Sequence, residues 1–152
     1  MQKKINSIIQ IRDADAKDAD NLLKITKAIL EKSKYLVTLP AELCLTKNEE
    51  MDWINSFKNE RNSRLLLAVV NDEIVGSLSF KNHQKERLKH SGEMSISLIP
   101  TFCNKGIGSK LLEFFFDWII NTQISRVYLE VVENNTIAIK LYKKFGFEVE
   151  GI

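Results

Sequence analysis

Apolar and polar positions along this 152-residue chain recur with two periods, one suited to strands and one to helices. Residues Ile5 to Arg12 are β-branched and apolar, which predicts a strand, and Asp13 and Asp15 then offer side-chain oxygens as helix caps. Behind them Leu22, Ile25, Ile29 and Leu30 recur at helical spacing. A second helix is predicted over Lys47 to Asn59 from Met51, Trp53, Ile54 and Phe57, after a connection that contains Pro40. Arg64 to Val70 and Ile74 to Phe80 are short apolar runs on either side of Asn71-Asp72-Glu73, the chemistry of a β-hairpin.

The polar stretch Lys81 to His90 predicts an exposed loop, with His83 and His90 as solvated side chains. Glu93 to Ile99 alternates, placing Met94, Ile96 and Leu98 on one face and Glu93, Ser95 and Ser97 on the other. After Pro100 a glycine-containing turn leads into a helix whose Leu111, Leu112, Phe115, Phe116 and Ile119 share a face. Arg126 to Val132 predicts another strand, Thr136 to Phe145 another helix, and Gly146 to Ile152 a last short strand. The expected fold is α/β (α+β) with order β-α-α-β-β-β-α-β-α-β: a mixed, mostly antiparallel central sheet with about four helices on both faces. Residues 1–152 are expected to form one domain, since neither a linker nor a repeat interrupts the pattern.

Composition narrows the class. Hydrophobic residues make up 44% and charged residues 28%, with 6 Gly and 2 Pro, so collagen-like and low-complexity chains are excluded. Lys and Arg number 22 against 20 Asp and Glu, and a net charge of +2 argues against a nucleic-acid partner. Cys44 and Cys103 form no CxxC pair, which favours a reducing, cytoplasmic setting and no metal site. The apolar runs are too short to span a bilayer, so no membrane partner is expected.

Two stretches carry candidate chemistry. Asn104-Lys105-Gly106-Ile107-Gly108-Ser109 joins a strand to a helix, where glycines let successive N–H groups face an anion and the helix dipole favours it. A Rossmann fingerprint would need Gly at 111, which is Leu, and a P-loop needs Gly-Lys-Ser/Thr where the order is Gly-Ser-Lys. The same glycines would also serve a tight turn and close helix packing. In the second stretch, Leu129 to Phe147, Asn135 can cap a helix and Tyr142, two turns on, projects from nearly the same face.

Together these stretches resemble the GCN5-related N-acetyltransferase (GNAT) family. The family's Arg/Gln-x-x-Gly-x-Gly/Ala pattern aligns with Cys103-Asn104-Lys105-Gly106-Ile107-Gly108. Its later Leu-Glu-Val and Asn-x-x-Ala-Ile-x-Leu-Tyr-x-Lys-x-Gly-Phe aligns with Leu129-Glu130-Val131 and Asn135 to Phe147. The resemblance implies acetyl-CoA as cosubstrate, held in an opening between the fourth and fifth strands, and an amine acceptor. It implies that the main chain of Ile96, Ser97 and Leu98 pairs with the pantetheine arm, that amides of Asn104 to Ser109 hold the pyrophosphate, and that Asn135 reaches the cofactor arm. Tyr142 would lie beside the thioester sulfur as proton donor, with Glu93 or Glu130 as base and Glu93 the preferred one. Cys103 stands where the family carries Arg or Gln, which implies weakened binding of CoA, with Lys105 as a replacement cation. A CoA-binding regulatory module and a protein that binds another phosphate ligand are the competing classes. The family pattern has a further strand beyond Ile152, which raises the expectation of a homodimer or a rearranged last strand.

Overall fold

The computed structural model describes residues 8–32, 46–102 and 105–151. Its elements are β1 (Gln10–Asp13), α1 (Ala19–Lys32), α2 (Lys47–Asn59), β2 (Arg64–Val70), β3 (Glu73–Asn82), β4 (Ser91–Leu98), α3 (Ile107–Ile119), β5 (Arg126–Tyr128) and α4 (Thr136–Lys144). The strands form one sheet in the order β1-β2-β3-β4-β5. Three pairings are antiparallel and β4–β5 is parallel. That last pairing needs a crossover, and α3 supplies it.

β2 reads RLLLAVV and is buried on both sides, so its alternate residues feed two cores. Leu65, Leu67 and Val69 meet Leu22 of α1 and Ile54 and Phe57 of α2. Leu66, Ala68 and Val70 face the other way, with Leu78, Phe80 and Met94, onto Leu111, Leu112 and Phe115 of α3. The register shifts between Ala68 and Val69, which leaves Val75 as the extra residue of a β-bulge. The bulge sends Ile74 to the α1/α2 core and Val75 to the α3 core.

The link from β1 to α1 is fixed by charge. Asp15 and Asp18 form a capping box over the turn Ala16–Asp18, and Arg12 reaches the buried Asp18 carboxylate with two bonds of 2.9 and 2.8 Å. The Arg12 hydrogen bond, against the cost of burial and aided by the Asp15 amide, holds the Asp18 carboxyl below its ordinary value. Its stabilising contribution is therefore present above about pH 4 and is lost as the pH falls below that. Asp18→Asn is expected to cost about 2 kcal/mol at neutral pH and to remove this acid-side dependence, both read from urea unfolding at several pH values.

Several expected boundaries move. β1 lies at Gln10–Asp13, later than the Ile5–Arg12 stretch, whose first three residues are outside the described ones. β3 runs on to Asn82 because its polar end is bonded: Ser63 Oγ accepts the Asn82 N–H, and the Asn82 side chain donates to the Lys89 and Ser91 carbonyls. β5 ends at Tyr128 instead of Val132, since its pairing with β4 stops there. Residues 146–151 form no strand among the described residues, against the expected one over Gly146 to Ile152. This segment is held by side chains: Phe147 packs on Tyr142 and Phe116, and Glu150 forms a bidentate pair with Arg126 at 2.6 Å. Trp53, one of the apolar residues that predict α2, is 41% exposed and meets Phe57 edge-on at 5.0 Å.

Candidate functional site

Three register pairs join β4 to β5: Ser91–Arg126, Gly92–Val127 and Glu93–Tyr128. β4 continues to Leu98, so among the described residues its edge from Met94 onward has no strand partner and the sheet opens. The direction of β4's polar backbone follows from its other edge. His83 N–H donates to Ser91 C=O and Ile99 N–H to Val75 C=O, so alternation turns odd-numbered residues toward β3. The N–H and C=O of Met94, Ile96 and Leu98 therefore face the opening. Those of Ser97, grouped with Ile96 and Leu98 in the sequence, face β3.

At the top of the opening stands the N-terminus of α3. Gly106 is its N-cap, in the left-handed region at φ 80°, and among the described residues no side chain caps the helix. The first turn, Ile107, Gly108 and Ser109, thus presents N–H donors that the helix itself cannot use, where an anion is favoured. Lys105 is exposed beside them, its ammonium 5.7 Å from the Phe102 ring centroid. The two glycines divide the roles the sequence left open. Gly106 makes the turn and a Cβ there would meet nothing within 4 Å, whereas a Cβ on Gly108 would come to 2.8 Å from Leu141 Cδ2 of α4. Gly108 also lies near Leu98, 3.8 Å from its Cδ1 by the same construction. β4, α3 and α4 accordingly converge on one point. Cys103 and Asn104 lie outside the described residues.

Asn135 caps α4, its Oδ1 accepting the Ala138 N–H at 3.2 Å, which leaves the side-chain NH₂ for another partner. Tyr142 follows two turns later and packs against Phe147 within the α3-side core. Burial pushes its phenol up to about 12, so it stays protonated at any physiological pH. Glu93 and Glu130 occupy the other side of the sheet. Glu93 is opposite Lys81 in register, and the Lys81 ammonium lies over Phe57 at 4.2 Å and pairs with Glu60 at 3.0 Å, which marks this as the α2 side. Both glutamates are exposed. The opening therefore connects Tyr142 and the α3 amides on one side of the sheet with two carboxylates on the other.

Sequence reasoning overlooked the groups between those carboxylates. Tyr128 shares a rung with Glu93, and its Oη lies 2.6 Å from His83 Nε2, with the rings stacked at 5.8 Å. His83 is thus bonded, not freely solvated. Burial and then Glu93 raise the Tyr128 phenol, Glu130 adds to this, and Arg126 opposes it. The parity of Tyr128 and Glu130 in one strand was the available signal. Nothing local in the sequence pointed to His83, 45 residues away.

Residues 32–147 match the family described as Acetyltransferase (GNAT) family. The chain belongs to the GNAT family. A GNAT acetyltransferase from Streptococcus pneumoniae of known structure superposes with TM-score 0.89 and 30% identity, covering 95% of this chain and 87% of that one. The L-amino acid N-acetyltransferase AaaT of Escherichia coli is 30% identical over 100 residues, 65% of this chain. That match spans 62% of AaaT. The GNAT fold is shared with yncA from Salmonella typhimurium, whose structure contains acetyl-CoA: TM-score 0.83 at 20% identity, with 95% and 82% of the two chains covered. The expected sheet with helices on both faces is thereby established. Among the described residues no group of three His, Cys, Asp or Glu is placed to hold a metal ion.

Proposed function

We propose that this protein is an acetyl-CoA-dependent N-acetyltransferase that passes an acetyl group to a primary amine by direct attack in a ternary complex. The observation that carries this is the junction of an open β4 edge with the uncapped first turn of α3. A pantetheine arm offers amides to pair with a strand edge, and a pyrophosphate matches a helix N-terminus. Ile96 and Leu98 supply the first set of partners through their main chains. Lys105 to Ser109 supply the second through theirs, continuing from Cys103 and Asn104 in the sequence pattern. Asn135 adds its free NH₂ at the start of α4.

The acetyl end then reaches the α2 side through the opening, where the amine approaches. A primary amine with a pKa of about 10.4 is almost wholly protonated at neutral pH and must lose a proton before attack. Glu93, on the last paired rung, takes it; Glu130 lies beyond the rung and holds the cation by charge. A backbone N–H on the open edge of β4 stabilises the oxygen that gains negative charge. Tyr142 faces the departing sulfur. Against a thiol near 8.5, a phenol at about 12 donates a hydrogen bond without surrendering its proton, and the departing sulfur takes the second proton of the former amine, so the products are the amide and the CoA thiol.

The test is thiol release from acetyl-CoA with a panel of L-amino acids, spermidine, an amino-sugar antibiotic and short peptides. Turnover with at least one amine is expected. Binding of acetyl-CoA without turnover of any amine would replace this proposal with a regulatory CoA-binding module. Binding of a nucleotide but of no CoA ester would replace it with another phosphate-binding function.

A further inference from the structure

Each turnover leaves the amine's proton on Glu93, from which it must return to solvent. We propose that Tyr128 and His83 form the exit for that proton, carrying it from Glu93 across the end of the sheet to solvent. The inference rests on the acetyltransferase proposal above and concerns the fate of the proton that Glu93 takes.

The groups lie in order along this path: Glu93 and Tyr128 are neighbours on one rung, close enough for a water to join them, and Tyr128 and His83 are directly hydrogen-bonded. Glu93 and Tyr128 share the last rung before the strands part, and both side chains stand on the α2 side. The Tyr128 ring extends past β4 to His83, which follows β3, and the Oη–Nε2 separation of 2.6 Å is that of a direct hydrogen bond. His83 is held in place by its backbone: its N–H donates to Ser91 C=O at 3.0 Å, and its carbonyl accepts from Arg61 Nη2 at 3.4 Å. His83 is half-buried. The charged groups facing this pair are Glu93 of β4, Arg126 of β5 with its guanidinium 5.7 Å from the Tyr128 ring centroid, Glu130 beyond β5, Arg61 at the His83 carbonyl, and Lys81 opposite Glu93.

The step balances. Protonated Glu93 gives its proton to Tyr128 Oη as the Oη–H proton moves to His83 Nε2, and the imidazolium then releases its Nδ1 proton to water. Glu93 returns as carboxylate and Tyr128 as phenol, and His83, left with its proton on Nε2, regains the starting tautomer by proton exchange with water before the next turnover. No lasting phenolate forms beside the two glutamates, where negative charge would be disfavoured.

His83→Gln keeps a hydrogen-bonding partner for Tyr128 but cannot accept a proton. With the most active amine of the panel above, it should lower kcat about tenfold, less than the about 10² to 10⁴ of a positioned acid or base because water can partly substitute. KM for acetyl-CoA should not change. The pH profile of kcat in His83→Gln should differ from that of the wild type. Imidazole added to His83→Ala should restore turnover in proportion to its neutral form, which a purely structural clamp would not permit. Wild-type turnover and pH profile in His83→Gln, or no rescue of a slowed His83→Ala, overturns the exit. If Glu93→Gln is slow while His83→Gln is normal, the base stands and only the exit falls. If Glu93→Gln is normal while His83→Gln is slow and rescued, the exit stands and receives the proton without Glu93. Absence of turnover with every amine fails the acetyltransferase proposal, and the exit with it.

Discussion

Tyr142→Phe should lower kcat about 100-fold while leaving the affinity for acetyl-CoA unchanged. The substitution removes one oxygen and keeps the ring, which packs edge-on against Phe147 at 5.7 Å within the α3-side core. The fold therefore has little reason to respond, and the defect belongs to the step in which the thiolate departs. A positioned proton donor contributes about 10² to 10⁴ in rate, and a phenol that only donates a hydrogen bond belongs at the lower end. The elevated pKa gives a second, independent signature. Because burial raises the phenol from 10.0 to about 12, the donor form persists through the usual assay range, so Tyr142 should impose no alkaline fall in kcat there. For stability the sign is that of a group with a raised folded value: its contribution is complete below about pH 10 and is lost as the pH rises through about 12. Steady-state kinetics, acetyl-CoA titration and unfolding at alkaline pH together test this assignment. Wild-type kcat in Tyr142→Phe would remove Tyr142 from the reaction.

Phe115→Ala should be the most damaging single truncation, at about 4 kcal/mol. Phe115 is fully buried and its ring lies 5.2 Å from Phe80, 5.3 Å from Phe116 and 6.0 Å from Trp118. It fastens α3 to β3, and surrounding aromatic rings cannot collapse far into the space left behind. A domain with about 5 to 15 kcal/mol of total stability would lose a large share, with the melting temperature falling by about 10 °C. The urea midpoint should drop with little change in slope, as expected when stability changes without a change in exposed surface. A midpoint within error of wild type would show that the aromatic cluster is dispensable. The same helix carries the Gly106 turn at its start, so acetyl-CoA binding should weaken alongside stability.

The parts legible in the sequence were those governed by local spacing. The triple-leucine run of β2, the β4 alternation and the helical stripe Leu111, Leu112, Phe115 and Ile119 each fixed an element and its buried side. Glu93 on the face opposite Met94 was legible for the same reason. What the sequence concealed depends on partners far along the chain. The early stop of β5 reflects where β4 and β5 part, which no residue within Arg126 to Val132 announces. The Gly108 contact requires Leu141, and the bonded state of His83 requires Tyr128. Lys81 and Asn82 looked like loop residues because they are polar, yet each finds fixed partners and extends β3. Ser97 stood next to Ile96 and Leu98 in sequence, but strand alternation sends its backbone to the other neighbour.

The three-rung parallel ladder between β4 and β5 has a consequence for how the molecule loosens. The antiparallel block β1 to β4 is bound by long adjacent pairings and two cores, whereas β5 and α4 adhere through three rungs, the Gly108–Leu141 contact, the packing of Phe145 and Phe147 on Phe116, and the Tyr128–His83 bond. Local opening follows the weakest set of contacts, so the segment from β5 onward is the unit that can detach while α3 and the antiparallel block stay folded. A ligand bridging the opening would then act as a strap between a permanent body and a removable end.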